Sequence, residues 1–322
     1  MLTLPAFQFH QPSTLDEAVA LLAAHPGKVK VIAGGTDLVP NMKHRLFTPE
    51  HVVGLQGIKG LKVIFEDGEA MVFGPMATLA DIARNPQVQE HFPSLAKGAE
   101  HVAGPQLREM GTLGGNICLD TRCGYYNQTH FWRKALGYCL KKDGTVCHVV
   151  KGGQKCVAAA SNDTAPVLIT LGATLRLRGP KGERIVPMSE FYVADGIFNT
   201  VLAHDEILTE VRVPLPKGKW YFGYEKLRIR AAIDYPALTV AVAAKLGPER
   251  KLEELRVCIS ALGARPHPVK RLEAFVGRTL DAATIKELGN AAQKQCHPLT
   301  NINVDTGWRR ELIPVLVRKA FA

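Results

Sequence analysis

The sequence predicts a mixed α+β protein with two domains. Its 322 residues, 46% of them hydrophobic, are enough to bury a large core. Short runs rich in Val and Ile, typical of strands, alternate along the chain with apolar residues at helical spacing. The segment PLPKGKW, with two prolines and a glycine, indicates a linker between a larger first domain and a smaller second one.

The first elements have clear start and stop signals. The stretch FHQPSTLDEAVALLAAHPG predicts a helix that is capped by Ser13 or Thr14 and ends at Pro26-Gly27. The stretch KVKVIAGGTDLVPNMK predicts a β-branched strand, a glycine turn and then a helix. Short strands or hairpin arms are predicted in HVVGL, KVIFEDG and AMVFGPMAT.

Helices are predicted next at 79–84 and 92–100, and VLITLGATLRLRG predicts a return to strand. Beyond the linker, YPALTVAVAAKLG and LEELRVCISALG predict strands. Helical spacing then follows in VKRLEAFVG, DAATIKELGNAAQKQ and TGWRRELIPVLVRKAFA. The second domain is therefore predicted to be a small antiparallel sheet packed against helices.

The charge and hydropathy argue against two classes of protein. The net charge of +10 could attract nucleic acid, but Lys and Arg are spread along the chain without aromatic-basic RNA motifs or zinc-finger spacings. No nucleic-acid partner is therefore expected. The N-terminus has no basic leader followed by an apolar stretch, and no run of about 18 apolar residues occurs. We expect a cytoplasmic protein with no membrane partner.

Four of the seven cysteines are clustered, at Cys123, Cys139, Cys147 and Cys156. Structural disulfides are rare in the cytoplasm, so the cluster indicates metal binding or redox chemistry. Its spacing, C-x15-C-x7-C-x8-C, contains no C-x-x-C. From the spacing alone, an iron-sulfur cluster and a structural Zn(Cys)4 site both stay open.

Two glycine clusters have the composition of phosphate-binding loops. In VIAGGTDL a strand leads into Gly34-Gly35, and in GTLGGNI two glycines stand between Thr112 and Asn116. Glycines let backbone N–H groups approach a phosphate, and the polar side chains add hydrogen-bonding groups. Neither is the G-x-G-x-x-G motif of a Rossmann site. As a pair they predict a diphosphate held from two sides.

These motifs carry a family resemblance over nearly the whole chain. AGGTDL, TLGGNI, SNDTAP, YEKLRIRAAIDYPALTVAVA and ISALGARPHPVKRLEAFVG resemble the FAD-binding subunits of the molybdenum hydroxylase family, which includes xanthine dehydrogenases and aerobic carbon monoxide dehydrogenases. The resemblance implies an FAD-binding domain of two α/β subdomains over 1–216, followed by a C-terminal flavoprotein domain over 217–322.

The resemblance also implies a set of FAD contacts. The first glycine loop would hold the pyrophosphate, the second would contact the same cofactor, and four further positions match FAD contacts elsewhere in the chain. Without the family match, Asp163 could equally be a helix cap and Leu208 a core residue. The implied contacts are Ala33, Gly34, Gly35, Thr36, Asp37, Leu38, Val102, Thr112, Gly114, Gly115, Asn116, Asp163, Leu208 and Lys226.

The cysteine cluster lies in an insertion, predicted over 119–160, where most relatives have only a short connector. This insertion resembles that of the 4-hydroxybenzoyl-CoA reductase branch of the family, in which the loop binds a [4Fe-4S] cluster. The resemblance implies Cys123, Cys139, Cys147 and Cys156 as its ligands. Cys118 is assigned to packing or to proximity to the flavin. Two other cysteines are predicted to be inert, at Cys258 and Cys296.

The resemblance implies an electron-transfer subunit. Its partners would be a large molybdopterin subunit, where the phenolic hydroxyl of the substrate is removed, and a small subunit with two [2Fe-2S] clusters, together a dimer of heterotrimers. No acid-base constellation is apparent, so no catalytic residue is predicted in this chain. The alternatives are the FAD subunit of another molybdenum hydroxylase, a flavoprotein acting alone, and a zinc-stabilised binding protein.

The insertion is also basic, with seven Lys and Arg residues against two Asp. We expect it to attract a small acidic electron donor of the ferredoxin type, with electrons flowing inward towards molybdenum. The simpler alternative is that these charges only solvate an exposed loop. The basic residues are Arg122, Arg133, Lys134, Lys141, Lys142, Lys151 and Lys155, and the acidic ones are Asp120 and Asp143.

Overall fold

The computed structural model describes residues 2–322. Within this range the chain forms three β-sheets, with twelve α-helices and two 3₁₀ helices around them. This arrangement confirms the predicted α+β class. No helix in residues 2–322 is both long and apolar enough to cross a membrane.

The first sheet is small and parallel. Its central strand pairs with both neighbours in the parallel sense, which requires the crossover connections that the helices provide. As predicted, the first helix is capped by Thr14, and it buries Ala18, Val19 and Leu22 against the sheet. The elements are β1 (Gln8–His10), α1 (Leu15–Ala24), β2 (Val29–Ile32), α2 (Leu38–Lys43) and β3 (His51–Gly54), in the sheet order β1-β3-β2.

The second sheet has five antiparallel strands and carries the main core. Helices cover it, and Phe73, Leu95 and Leu168 are fully buried between the layers. Its elements are β4 (Ile64–Asp67), β5 (Ala70–Phe73), α3 (Leu79–Arg84), α4 (Pro86–His91), α5 (Pro93–Glu100), α6 (Pro105–Met110), α7 (Leu113–Ile117), α8 (His130–Ala135), α9 (Thr164–Thr170), β6 (Thr174–Gly179), β7 (Gly182–Pro187), α10 (Met188–Phe191) and β8 (Ile207–Pro214), in the sheet order β4-β5-β8-β6-β7.

The third sheet is antiparallel, as predicted for the C-terminal region. The two long C-terminal helices pack on it, and Val240, Ile259, Leu288 and Ile313 are fully buried between sheet and helices. Its elements are β9 (Trp220–Leu227), β10 (Leu238–Leu246), β11 (Leu252–Ser260), β12 (His267–Pro268), α11 (Ala282–Lys294) and α12 (Thr306–Ala320), with 3₁₀ helices at Pro248–Arg250 and Leu272–Phe275 and the sheet order β12-β11-β10-β9.

The cysteine segment, which we define as residues 119–160, lies between α7 and α9 and contains one helix, α8. Its two ends are held together by Arg122 and Ala159, whose backbones exchange hydrogen bonds of 2.8 and 2.7 Å. Asn301, from the C-terminal region, accepts from the Gly124 backbone N–H at 2.8 Å and donates to the Val157 carbonyl at 2.7 Å. Hydrogen bonds therefore hold the two ends of the segment together and attach the segment to the C-terminal region.

The structure differs from the prediction in three places. The stretch VLIT, predicted as strand, is the second half of α9, and the strand begins only at Thr174. Helix α9 is buried on almost every side, so it lacks the amphipathic pattern that identifies a surface helix. Strand β9 begins inside the predicted linker and was not anticipated. VKRLEAFVG forms only a short 3₁₀ helix, at Leu272–Phe275.

Candidate cofactor sites

The first glycine loop, residues 33–37, joins the end of β2 to the start of α2. Gly35 has a φ of +72°, a left-handed conformation that glycine adopts without strain. Within residues 2–322, the backbone N–H groups of residues 34–37 donate to no protein acceptor. The loop therefore presents four free donors at the end of a strand, which suits an anionic group.

The second glycine loop, residues 111–116, uses its backbone differently. The N–H groups of Leu113, Gly114 and Asn116 all donate to protein carbonyls at 2.9 Å, and that of Gly115 donates to Thr112 Oγ1 at 3.0 Å. A Cβ on Gly114 would lie 2.6 Å from the Cβ of Pro75. In this loop glycine permits close packing, whereas free backbone donors are provided by the first loop.

The two loops touch each other. A Cβ on Gly34 would lie 1.8 Å from the Met110 carbonyl oxygen, and a Cβ on Gly111 would lie 3.5 Å from Thr36 Oγ1. The sequence prediction that both loops serve one site thus agrees with their contact in the fold. Which atoms of FAD each loop contacts stays a prediction.

Asp37 is held by three protein partners. Its Oδ1 accepts from Arg122 Nη1 at 2.9 Å and from the Tyr235 hydroxyl at 3.3 Å, and its Oδ2 accepts from Asn41 at 2.8 Å. Burial raises the pKa of Asp37, and the Arg122 charge opposes that shift. The Arg122 guanidinium also lies 4.1 Å from the Tyr235 ring centroid. This network joins the first loop to the residue before Cys123 and to the loop between β9 and β10.

A second buried network surrounds Asp163. Its carboxylate accepts from the Tyr224 hydroxyl at 2.7 Å and from Lys226 Nζ at 3.0 Å, and Lys226 also donates to the His101 carbonyl at 3.0 Å. Asp163 occupies the cap position of α9, but its side chain makes no capping bond. Burial raises the pKa of Asp163 and lowers that of Lys226, and their ion pair opposes both shifts. The structure therefore brings together two predicted positions, Asp163 and Lys226, and Lys226 also contacts His101, the residue before Val102.

Asn116 connects the second loop to this network. Its Oδ1 accepts from the backbone N–H of Thr164 at 3.1 Å and from the Thr164 hydroxyl at 2.6 Å. Leu208 lies elsewhere, in the main core on β8, opposite Leu177 and 4% exposed. The structure thus supports the core alternative for the Leu208 side chain, and its contact with a cofactor stays a prediction.

All four clustered cysteines line one cavity. Cys139 and Cys156 are buried, and Cys123 and Cys147 are partly buried. Within residues 2–322, no three His, Cys, Asp or Glu side chains converge closely enough to hold a single metal ion. The other lining residues are Tyr125, Tyr126, Leu140, Lys141, His148, Val149, Val157 and Ala158.

The thiols of the cavity are held in an apolar setting. Burial raises the pKa of Cys123 and raises that of Cys156 to about 11. Two backbone N–H groups point at sulfur, from Val150 to Cys147 and from Ala158 to Cys156, each at 3.5 Å. Such bonds favour the thiolate, which is the form that binds metal.

Lys141 and Arg133 are functional candidates that the sequence prediction counted only as loop charges. Lys141 Nζ donates to Asp120 at 2.7 Å and to Thr121 Oγ1 at 2.6 Å, and it also bonds the Gly196 carbonyl. The Arg133 side chain is 1% exposed. No local pattern distinguishes either residue from the exposed lysines of the segment, because their hydrogen-bond partners lie ten or more residues away along the chain.

The remaining cysteines lie outside the cavity. Cys118 is exposed at the end of α7, while Cys258 and Cys296 are buried in the C-terminal region. Burial of the last two fits the expectation that they are inert, which stays a prediction.

Comparison with known proteins identifies the family. Residues 5–216 match the family described as the FAD binding domain in molybdopterin dehydrogenase. Residues 222–322 match the CO dehydrogenase flavoprotein C-terminal domain. The chain is 28% identical to the carbon monoxide dehydrogenase medium chain of Hydrogenophaga pseudoflava, covering 98% of this chain and 96% of that one. It is 25% identical to the xanthine dehydrogenase FAD-binding subunit of Escherichia coli O157:H7, covering 98% and 94%.

A solved structure agrees with this assignment. Carbon monoxide dehydrogenase from Hydrogenophaga pseudoflava, in a form that lacks the Mo-pyranopterin moiety of its cofactor, superposes with a TM-score of 0.81 and 27% identity over 99% of this chain and 97% of that one. The free donors of the first glycine loop fit the FAD-binding role of the matched domain. The chain belongs to the molybdenum hydroxylase family, as an FAD-binding oxidoreductase subunit.

Proposed function

We propose that this chain carries electrons within a molybdenum enzyme that reduces 4-hydroxybenzoyl-CoA, and that its thiol cavity holds a [4Fe-4S] cluster beside the FAD. The observation that carries the proposal is the convergence of four widely spaced cysteines on one cavity. The cavity adjoins the FAD loops because Arg122, which pairs with Asp37 of the first loop, directly precedes Cys123.

A cluster is favoured over a structural zinc ion because the insertion resembles one that binds a [4Fe-4S] cluster. Four thiols that line one cavity could serve either group. A cubane cluster takes one thiolate at each of four separated irons, so its ligands stand around a space. The proposed ligands are Cys123, Cys139, Cys147 and Cys156.

The FAD is assigned to the two glycine loops and the Asp163 network. The free N–H groups of residues 34–37 would hold the pyrophosphate, and the Lys226 ammonium, fixed by Asp163 and the His101 carbonyl, would orient the backbone beside Val102. When bound, FAD exchanges one or two electrons, so it links a one-electron carrier to two-electron chemistry. The residues of the chain bind and orient these groups and exclude water from them.

The substrate and partners follow from the resemblance of the insertion. Loss of the phenolic hydroxyl consumes two electrons and two protons and gives benzoyl-CoA and water, on a large molybdopterin subunit. A small subunit with two [2Fe-2S] clusters would lie between this chain and the large subunit, and the whole enzyme would be a dimer of heterotrimers. Oxidation of the reduced complex by 4-hydroxybenzoyl-CoA tests this assignment. The reduced complex should be oxidised faster by 4-hydroxybenzoyl-CoA than by benzoyl-CoA. If xanthine or carbon monoxide reduced the oxidised complex, another branch of the family would be favoured.

The ligand assignment is tested by Cys139→Ser in the complex purified without oxygen. We expect the variant to lose cluster iron and sulfide while keeping its FAD, because Cys139 is buried in the cavity wall and its backbone bonds to Lys142 and Gly144, not to the glycine loops. Cys118→Ser is the matched control, since Cys118 is exposed and outside the cavity. The iron, zinc, sulfide and flavin contents of both variant complexes are measured and compared with those of the wild type. Full [4Fe-4S] content in Cys139→Ser, or zinc in place of iron, would contradict the proposal.

An exposed apolar surface on α8 fits the proposed electron donor. Phe131 is 83% exposed, Trp132 is 40% exposed and Lys134 is also exposed. Arg133, which stands between Trp132 and Lys134 in the sequence, is buried. Arg133 donates to the Arg45 carbonyl at 3.0 Å, which fixes the helix with its aromatic side chains outward. We call Phe131, Trp132 and Lys134 the α8 surface. Large exposed aromatics beside a lysine suit a small acidic protein with an apolar contact at its centre.

This docking role predicts a specific kinetic pattern. Phe131→Ser should lower the rate of cluster reduction by a ferredoxin about tenfold at low ferredoxin concentration, since central aromatics dominate such interfaces. Reduction by the methyl viologen radical should not change, and Ile185→Ser, at another exposed apolar residue, should behave as wild type. Ferredoxin rates should fall with added salt. Equal rates in Phe131→Ser and wild type, or no salt dependence, would overturn the role.

A further inference from the structure

The thiol cavity has one fixed positive charge. Among its lining residues within 2–322, Lys141 is the single lysine or arginine. Its side chain is 5% exposed, while Lys134, Lys151 and Lys155 of the same segment are exposed to solvent. The basic character predicted for the whole segment is thus divided, with several charges on the surface and one in the cavity wall.

The Lys141 ammonium is held by three acceptors. They are the Asp120 carboxylate, the Thr121 hydroxyl and the Gly196 carbonyl. An ammonium has three N–H groups, so all of its donors are satisfied and the charge is fixed in position. Lys141 also lies 4.7 Å from the centroid of the Tyr126 ring, another lining residue. The charge therefore belongs to the cavity and cannot swing into solvent as surface lysines do.

We propose that Lys141 sets the reduction potential of the iron-sulfur site and that Asp120 moderates it. This inference rests on the proposed function, because it requires a cluster in the cavity. Each electron accepted from the donor makes the site one unit more negative, and a nearby cation stabilises that reduced form. Since Lys141 is buried, salt screens its effect little. Asp120 opposes the cation, so removal of the two charges should shift the potential in opposite directions.

Redox titration of the complex, followed by EPR, measures this effect without turnover. In Lys141→Met, the ratio of reduced to oxidised cluster at a fixed potential should fall about tenfold, equivalent to about 59 mV for one electron. Asp120→Asn should raise the ratio. Lys141→Arg, which keeps the charge, should stay close to wild type. Lys142→Met is the matched control, because Lys142 is adjacent, more exposed and paired with Asp143.

Iron and flavin analyses accompany each titration. If Lys141→Met keeps its iron and FAD but titrates as wild type, Lys141 is only an anchor and the inference fails. If Lys141→Met loses its iron, Asp120→Asn decides: an upward shift supports the inference, and an unchanged or lowered potential overturns it. Absence of iron from the wild-type complex would instead refute the proposed function.

Discussion

Gly34 lies where the two glycine loops touch, so it shows how one missing side chain can shape a binding site. A Cβ there would overlap the Met110 carbonyl oxygen at 1.8 Å, and one of the two loops would have to move. We expect Gly34→Ala to destabilise the chain by about 1–3 kcal/mol through overpacking. Thermal unfolding and the ratio of FAD to protein measure the effect, and both should fall.

The control for this substitution is Gly263→Ala. A Cβ on Gly263 would meet nothing within 4 Å, so the same chemical change should leave stability and FAD content near wild type. Normal FAD content and stability in Gly34→Ala would show that the loops can separate without consequence.

Single residues differ in how well the sequence indicates them. AGGTDL and TLGGNI located both glycine loops, because their motifs are local. Tyr224, which donates to Asp163, was missed although it stands two residues before Lys226 on β9, where alternate residues share a face. Because the strand itself was not predicted, its alternation of faces could not be used to identify Tyr224. Lys141 had no local signal at all, since its acceptors lie 20 or more residues away along the chain.

At the scale of elements, periodicity identifies helices only where one face meets solvent. α11 and α12 have buried and exposed sides, and both were predicted. α9 has almost no exposed side, so its apolar run resembled a strand. In the cysteine segment, α8 reverses the usual partition by burying Arg133 and exposing Phe131. The arginine is tolerated because backbone carbonyls at 44 and 45 accept its hydrogen bonds.

Over the whole molecule, the pair of Lys226 and Asp163 connects the C-terminal sheet to the FAD-type fold. Lys226 lies on β9 and Asp163 at the start of α9, and their side chains are 0% and 4% exposed. The sequence predicted both residues as cofactor contacts and did not indicate that they bind each other. A contact between segments so far apart in the chain leaves no trace in spacing or periodicity.

This connection predicts a large effect on stability. In Lys226→Met the buried Asp163 carboxylate would keep its hydrogen bond from the Tyr224 hydroxyl but lose the neighbouring ammonium. Breaking such a buried pair lowers the free energy of unfolding by about 3–5 kcal/mol. Urea unfolding of the FAD-free chain measures this loss apart from cofactor binding. Removing both charges, in Lys226→Met with Asp163→Asn, should recover part of the lost stability.

The exposed pair of Lys28 and Glu50 provides the comparison. Both side chains are more than half exposed, so Lys28→Met should change the free energy of unfolding by about 0–1 kcal/mol. If Lys226→Met is as mild as Lys28→Met, the buried pair does not hold the two regions together.

The base of the cysteine segment has a consequence for how such an enzyme could arise. Arg122 and Ala159 already exchange backbone hydrogen bonds, as the two residues that flank a hairpin turn do. A chain without the intervening residues could close the same gap with a tight turn and keep both glycine loops. Under the proposed function, gaining or losing the iron-sulfur site would then require only a change of chain length at this one position, and the surrounding fold could stay the same.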